Sequence, residues 1–123
     1  MKEEILIYYP LFLKIENKPC LIVGGGNIAL KKAEKLLEYG ADLELLAPEI
    51  DNRIYEILPE EKIIKEKYHK KYCQGKLIII AASNNRCLNK EVARDAENSG
   101  ALFNAVDQTE LCQLYSTGYS KTG

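Results

Sequence analysis

The stretch from Cys20 to Gly40, CLIVGGGNIALKKAEKLLEYG, constrains the fold more than any other part of the chain. Its first residues, Cys20 to Val23, form a short continuous apolar run, which is typical of a strand buried on both faces. Three glycines follow, and from Asn27 the apolar residues recur at helical spacing, with Lys and Glu on the opposite face. Gly40 stands where a helix commonly ends. The segment therefore predicts a strand, a tight turn and a helix in immediate succession.

The rest of the chain continues this alternation of apolar runs and helical patterns. We expect an edge segment at 10–15, a turn at ENKP, a second strand at 42–48, a short helix at 49–58, a weaker third strand at 62–68, the best central strand at 76–83, a second clear helix at 84–100 and a last strand at 101–106. Strands that alternate with helices indicate a parallel sheet with right-handed crossovers. The sequence predicts a single α/β domain with a Rossmann-like, doubly wound parallel sheet.

The glycine turn matches a pattern that binds the phosphates of a dinucleotide. Gly24, Gly26 and Ala29 give G-x-G-x-x-A between the predicted strand and helix. Gly24 permits the tight turn, Gly26 leaves room for a pyrophosphate, and Ala29 lets the helix pack closely on the strand. The helix N-terminus offers N–H groups and a positive dipole end to the phosphates. The alternative is a glycine turn that serves packing alone.

A carboxylate near the end of the second strand is expected to hold the adenosine ribose. Glu44 has the usual spacing of about 20 residues, but it lies in mid-strand, whereas Glu49 lies just past the strand end. Both remain candidates, and Glu49 is equally well explained as a solvated loop residue. The nearest basic residue, Arg53, comes four positions after Glu49. Because a carboxylate would repel a 2′-phosphate, the sequence favours NAD over NADP.

Asp107 follows the last predicted strand, at the sheet edge where α/β proteins bind ligands. An oxidation by NAD releases a proton, and a carboxylate beside the hydride path can accept it. The competing interpretation is that Asp107 caps the following turn. Glu110 is a weaker candidate for the same role. Cys112 is better read as a small apolar residue and His69 as a surface residue.

Composition excludes several other classes of protein. The net charge is −1, with 17 basic and 18 acidic residues, which gives no basic field for nucleic acid or anionic lipid. The four cysteines form no C-x-x-C pair, so we predict no metal site and expect reduced thiols in the cytoplasm. We also expect no signal peptide and no membrane-crossing segment.

Two longer stretches of the chain resemble a known family. They are YPLFLKIENKPCLIVGGGNIALKKAEKLLEYGADLELLAPEI and NKEVARDAENSGALFNAVDQTELC. Together they resemble precorrin-2 dehydrogenase, the NAD-binding part of siroheme synthase, from about Tyr9 to Cys112. The most specific marks are PLFL, the V-G-G-G-x-x-A turn followed by Lys-Lys-Ala, LAPE, and N-x-V-D before ELC.

The resemblance implies an activity, a cofactor and a set of site residues. The family oxidises precorrin-2 to sirohydrochlorin with NAD, and several members then insert ferrous iron, so that they are lyases as well as oxidoreductases. The Asp of N-x-V-D, proposed as catalytic in the family, matches Asp107, and it could also collect pyrrole protons during metal insertion. The family's cofactor contacts map onto Gly24, Gly25, Gly26, Asn27, Ile28, Pro48, Glu49, Ala82 and Ser83.

The chain departs from the family after ELC. The family continues into a phenylalanine-proline-alanine segment, dimer-building strands and a helical region, whereas this chain continues with QLYSTGYSKTG. We therefore expect an NAD-binding domain at 1–112 and an irregular tail at 113–123, in a chain that is mostly monomeric although the family is dimeric. The leading hypothesis is an NAD-dependent precorrin-2 dehydrogenase. The alternatives are a dinucleotide-binding module without catalysis and a structural partner for a chain that supplies the missing part.

Overall fold

The computed structural model of the protein describes residues 12–105. Within this range there are five strands and three α-helices. The strands are β1 Pro19–Val23, β2 Asp42–Leu46, β3 Ile63–Ile64, β4 Ile78–Ala81 and β5 Leu102–Ala105. The helices are α1 Asn27–Glu38, α2 Ile54–Ile57 and α3 Arg86–Ser99, with short 3-10 turns at Glu60–Lys62 and Lys70–Cys73.

The five strands form one parallel sheet in the order β3-β2-β1-β4-β5. This order confirms the predicted α/β, Rossmann-like, doubly wound sheet. One detail of the prediction is wrong: β1 is the central strand, and β4, expected at the centre from its apolar run 76–83, lies beside it. Because β2 and β4 flank β1 on opposite sides, the chain reverses its winding direction at the end of β1.

Two apolar clusters cover the two faces of the sheet. Alternate residues of β1 face opposite clusters, as the twofold period of a strand requires. Cys20 and Ile22 pack with α1 and α2, whereas Leu21 and Val23 pack in the cluster that contains Val92 and Ala96 of α3. These strand and helix residues are almost completely buried. Both faces of β1 therefore lie in the core, in agreement with its unbroken apolar sequence.

The two long helices end at the glycines that the sequence indicated. At the end of α1, the Ala41 N–H donates to the Leu36 carbonyl and the Gly40 N–H to the Leu37 carbonyl, at 3.1 and 2.9 Å. This is a Schellman motif, and Gly40 has the positive φ (+82°) that it needs. Helix α3 ends in the same way at Gly100, with φ +85°.

Three predicted elements, the edge segment, the third strand and the short helix, differ in length from those in the structure. Residues 12–15 form no strand, and the rest of the expected edge segment lies outside the described residues. The backbone instead turns at 15–18, and the Asn17 N–H donates to the Gly40 carbonyl at 2.8 Å. The strand expected at 62–68 has only two residues, since the chain leaves the sheet after Ile64 and Tyr68 packs near α3. Helix α2 is shorter than the expected 49–58 because residues before Ile54 pack on the glycine turn.

The described residues also bear on the thiols and on membranes. Cys20 and Cys73 are buried, Cys87 is exposed, and none of these three is in a disulfide among the described residues; Cys112 lies outside them. Between residues 12 and 105 no helix is both long and apolar enough to span a bilayer.

Candidate functional site

A cleft of about 840 Å³ opens at the carboxyl ends of β1, β2 and β4. Its walls come from the glycine turn after β1, the loop after β2 and the turn between β4 and α3. This is the position where the winding of the sheet reverses, and doubly wound folds bind ligands there. The lining residues are Val23, Gly24, Gly25, Gly26, Asn27, Ile28, Leu46, Ala47, Pro48, Glu49, Ile50, Asp51, Tyr68, Ala82, Ser83, Asn84, Asn85 and Leu88.

The first two glycines of the turn are required by the packing of the backbone. Gly24 has φ +146°, and a β-carbon there would lie 2.6 Å from the carbonyl oxygen of Ala82. A β-carbon on Gly25 would lie only 2.1 Å from the carbonyl oxygen of Glu49. The Asp51 N–H also donates to the Gly25 carbonyl at 2.7 Å. Gly24 and Gly25 thus let the loops after β4 and β2 approach the turn closely.

Gly26 differs from its neighbours because its missing side chain would face open space. A β-carbon there would meet no atom within 4 Å, and its φ of −101° is accessible to any residue. Gly26 is also the N-cap of α1, and neither a capping side chain nor an acidic residue occupies the first turn of that helix. No side chain from the cap or first turn of α1 therefore competes for the N-terminal N–H groups and the positive dipole end. This arrangement fits the pyrophosphate of a dinucleotide.

The two candidate ribose carboxylates lie in different places. Glu49 is exposed and lines the cleft together with Pro48. Glu44 is not a lining residue, and its carboxylate is paired with the Lys76 ammonium at 3.2 Å. The structure thus brings Glu49, and not Glu44, to the cleft. Whether Glu49 binds the ribose stays a prediction.

An ion pair joins the loop after β2 to the start of α1. The Arg53 side chain donates to both carboxylate oxygens of Asp51, at 3.0 and 2.8 Å, and reaches the Asn27 side-chain oxygen at 3.4 Å. The Arg53 backbone N–H also donates to Asp51, at 2.8 Å. Hydrogen bonds from the Arg53 side chain and backbone hold the pKa of Asp51 at about 2. This carboxylate is therefore ionised at neutral pH.

The turn between β4 and α3 is fixed by its own polar side chains. The Ser83 hydroxyl donates to the Asn89 side-chain oxygen at 2.7 Å, and the Asn89 amide donates to the Ser83 carbonyl at 2.9 Å. Asn85 caps α3 by accepting from the Leu88 N–H at 3.0 Å. These bonds hold Ala82 and Ser83 against the glycine turn, with both residues at the cleft wall.

Tyr68 lines the cleft and packs on the face of the sheet that α3 covers. Its hydroxyl donates to the Asp95 carboxylate of α3 at 2.6 Å and lies 3.2 Å from the Cys73 sulfur. Burial and the bond to Asp95 raise the pKa of Tyr68, and burial raises the pKa of the Cys73 thiol. Both groups are neutral at pH 7 and serve as packing and hydrogen-bonding groups.

The structure brings the sequence-predicted cofactor residues to one cleft. Gly24, Gly25, Gly26, Asn27, Ile28, Pro48, Glu49, Ala82 and Ser83 all line it. Asp107, Glu110, Cys112 and the tail 113–123 lie outside the described residues. His69 is exposed, and its Nδ1 accepts from the Lys71 N–H. Within residues 12–105, no group of three or more His, Cys, Asp or Glu side chains is placed to hold a metal ion.

Sequence reasoning missed two of the polar residues at the cleft, Asp51 and Tyr68. A short D-x-R spacing, in which an Asp accepts from the backbone two positions on, was the available signal for Asp51. Tyr68 gave no local signal, because its partner Asp95 is 27 residues away in the chain.

Comparison with known proteins agrees with this geometry. Residues 11–118 match the model of the family described as "Putative NAD(P)-binding". The siroheme synthase of Psychrobacter sp. (strain PRwf-1) is 42% identical over 108 residues, which cover 86% of this chain and 22% of that protein. The siroheme synthase of Chromobacterium violaceum is 35% identical over 111 residues, covering 89% of this chain and 24% of that protein.

A solved structure shares the fold. The protein named "SirC, precorrin-2 dehydrogenase" matches with a TM-score of 0.67 and 22% identity, over 93% of this chain and 52% of that one. The chain spans less than a quarter of the length of the two siroheme synthases. It belongs to the NAD(P)-binding family that the model describes, and it is related over most of its length to the siroheme synthases.

Proposed function

We propose that this chain binds NAD in the cleft at the glycine turn. The observation that carries the proposal is the open space at Gly26, beside an α1 N-terminus that no side chain caps. A pyrophosphate at this place would accept hydrogen bonds from backbone N–H groups and gain from the helix dipole. The membership of an NAD(P)-binding family supports a nicotinamide dinucleotide as the ligand.

The remaining cleft residues would bind the other parts of the dinucleotide. Glu49 would accept hydrogen bonds from the hydroxyls of the adenosine ribose, as an acidic residue after β2 does in this class of fold. Its negative charge would oppose a 2′-phosphate, which favours NAD over NADP. Ala82 and Ser83 would contact the cofactor from the β4 side of the switch point. Asn27 and Ile28 would present the first backbone groups of α1.

The reaction that we propose is the NAD-dependent oxidation of precorrin-2 to sirohydrochlorin, in the cytoplasm. Its support is the relationship to siroheme synthases together with a cleft suited to the cofactor. The oxidation removes two electrons and two protons from the tetrapyrrole. Bound NAD supplies the acceptor for the hydride, and a base must accept the remaining proton.

We assign that base to Asp107, which comes two residues after the end of β5 in the sequence. The register places Ala105 of β5 beside Ala81 of β4, whose successors Ala82 and Ser83 line the cleft. The described end of β5 therefore lies at the same edge of the sheet as the cleft. The insertion of ferrous iron into sirohydrochlorin is a second activity that the resemblance implies, with iron as a substrate.

Asp107→Asn tests the enzymatic role. The amide keeps the shape of the side chain but takes up no proton at neutral pH, so turnover should fall by about 10²–10⁴-fold while NAD affinity is kept. Purified chain is mixed with precorrin-2 and NAD, and sirohydrochlorin and NADH are followed by absorbance. Glu110→Gln tests the weaker candidate for the same role and should retain turnover if Asp107 is the base.

Two outcomes would change the assignment. Full turnover in Asp107→Asn would reject Asp107 as the base and favour a turn-capping role, since Asn caps nearly as well as Asp. NAD binding by the unmodified chain without any turnover would favour the second candidate function, a dinucleotide-binding module that does not catalyse the reaction alone.

A further inference from the structure

We infer that Asp51 determines which dinucleotide the cleft accepts, by holding Arg53 in an internal ion pair. The inference rests on the proposed NAD-binding function and adds to the role given to Glu49. Arg53 is the only basic residue in the loop 47–53 that follows β2. Arginine is the side chain best suited to bind a phosphate, and an arginine near this position commonly accommodates the 2′-phosphate of NADP.

The geometry commits the Arg53 guanidinium to Asp51. Its Nε donates to Oδ1 at 3.0 Å and its Nη2 to Oδ2 at 2.8 Å, so the pair is bidentate. The Arg53 backbone N–H donates to the same carboxylate, which fixes the Asp51 side chain relative to the loop. Two parallel bonds of this kind are stronger and more directional than a single ion-pair contact.

The pair lies at the cleft wall, in the same loop as Glu49, the residue that we propose binds the adenosine ribose. Asp51 and Asn27 both line the cleft, and Nη2 of Arg53 is 3.4 Å from the Asn27 side-chain oxygen. The Arg53 side chain is 55% exposed and contacts the cleft through its bonds to these two lining residues. None of the described residues that line the cleft is cationic. Arg53, which is hydrogen-bonded to the lining residues Asp51 and Asn27, is the cation that we expect a 2′-phosphate to meet.

The charges of the pair oppose NADP and tolerate NAD. Its hydrogen bonds with Arg53 keep Asp51 ionised at neutral pH, and those with Asp51 raise the pKa of Arg53 further. A 2′-phosphate would have to displace Asp51 from Arg53 and would then lie near two carboxylates, Asp51 and Glu49. A ribose 2′-hydroxyl meets no such repulsion and can donate to a carboxylate.

The test is the ratio of NADP to NAD affinity, measured by calorimetry, in a double-mutant cycle. Asp51→Asn keeps the side-chain oxygen that accepts from the Arg53 N–H and removes the negative charge. Asp51→Asn should shift the ratio toward NADP by about five- to tenfold, the effect of removing one nearby charge in a solvated site. Arg53→Gln alone should give no gain in NADP affinity. The double variant should lack the shift toward NADP that is expected for Asp51→Asn. Asp51→Ser, which retains a short polar side chain, is the second variant if Asp51→Asn is unstable.

Asp42→Asn is the matched control. Asp42 is likewise a carboxylate in an ion pair, with Lys62 at 2.8 Å, but it is exposed and lies at the start of β2, away from the cleft. The ratio should be unchanged in this variant. An unchanged ratio in both Asp51 variants, or a gain that persists without Arg53, would overturn the inference while leaving NAD binding intact. Failure of the unmodified chain to bind either dinucleotide would instead reject the proposed function.

Discussion

At the scale of single residues, the three glycines of the turn have different roles, and a pair of substitutions separates them. Gly25→Ala should destabilise the fold by about 1–3 kcal/mol, because the new methyl group overlaps the Glu49 carbonyl oxygen and the loop must move. Gly26→Ala should change the free energy of unfolding by less than about 1 kcal/mol. Its methyl group meets open space, and the weaker N-cap is offset by the reduced entropy of the unfolded chain.

Urea unfolding of the two variants and the unmodified chain measures this difference. Equal stability of Gly25→Ala and Gly26→Ala would show that the close approach of the Glu49 loop to the turn is absent in solution.

The sequence indicated the turn but not this division of roles. The spacing G-x-G-x-x-A singles out Gly24, Gly26 and Ala29, and Ala29, in the first turn of α1, is fully buried. Gly25 falls on a position that the pattern leaves free. Its constraint comes from the loop after β2, 24 residues further along the chain, and no local pattern records such a contact. The pairing of Asp51 with Arg53 is local, yet its position beside Asn27 also depends on the packing of that loop.

At the scale of secondary structure, the N-terminus of α3 offers a test of the cleft wall. Asn85→Ala removes the side-chain oxygen that accepts from the Leu88 N–H and should cost about 0.5–2 kcal/mol. Asn85→Asp keeps an acceptor and should retain most of that stability. Asn98→Ala, at an exposed position near the other end of the helix, is the control and should have a smaller effect. Chemical denaturation measures the stabilities of these variants. An Asn85→Ala variant as stable as Asn98→Ala would contradict the capping role of Asn85.

The elements differ in how far the sequence predicts them, for physical reasons. Helices α1 and α3 were found because their apolar stripe and terminal glycines are local signals. The predicted length of β3 was too great because β-branched residues alone do not decide where the chain leaves a sheet. The chain leaves the sheet after Ile64, and Tyr68 then donates a hydrogen bond to Asp95, a residue far away in the sequence. Residues 12–15 look like a strand in composition, but the described residues form no ladder with them.

At the scale of the whole molecule, the sheet order brings the site together. The carboxyl ends of β1, β2 and β4 meet only because β1 lies between the other two. Parallel strands separated by helices predicted this meeting in general terms, whereas the set of proposed cofactor residues came from the family resemblance. The sequence alone did not decide whether Glu44 or Glu49 faces the cleft. The structure shows that Glu44 is paired with Lys76, whereas Glu49 lines the cleft. The role of Asp107 and the expected monomeric state remain predictions.

The central claim is that the cleft binds NAD through the open position at Gly26. Calorimetric titration of NAD into the unmodified chain and into Gly26→Val tests it most directly, with thermal unfolding recorded on the same samples. A branched side chain fits the extended backbone at Gly26 but would fill the space assigned to the pyrophosphate. We predict that the unmodified chain binds NAD, and that Gly26→Val remains folded without detectable binding. Unchanged NAD affinity in a folded Gly26→Val variant would contradict the claim.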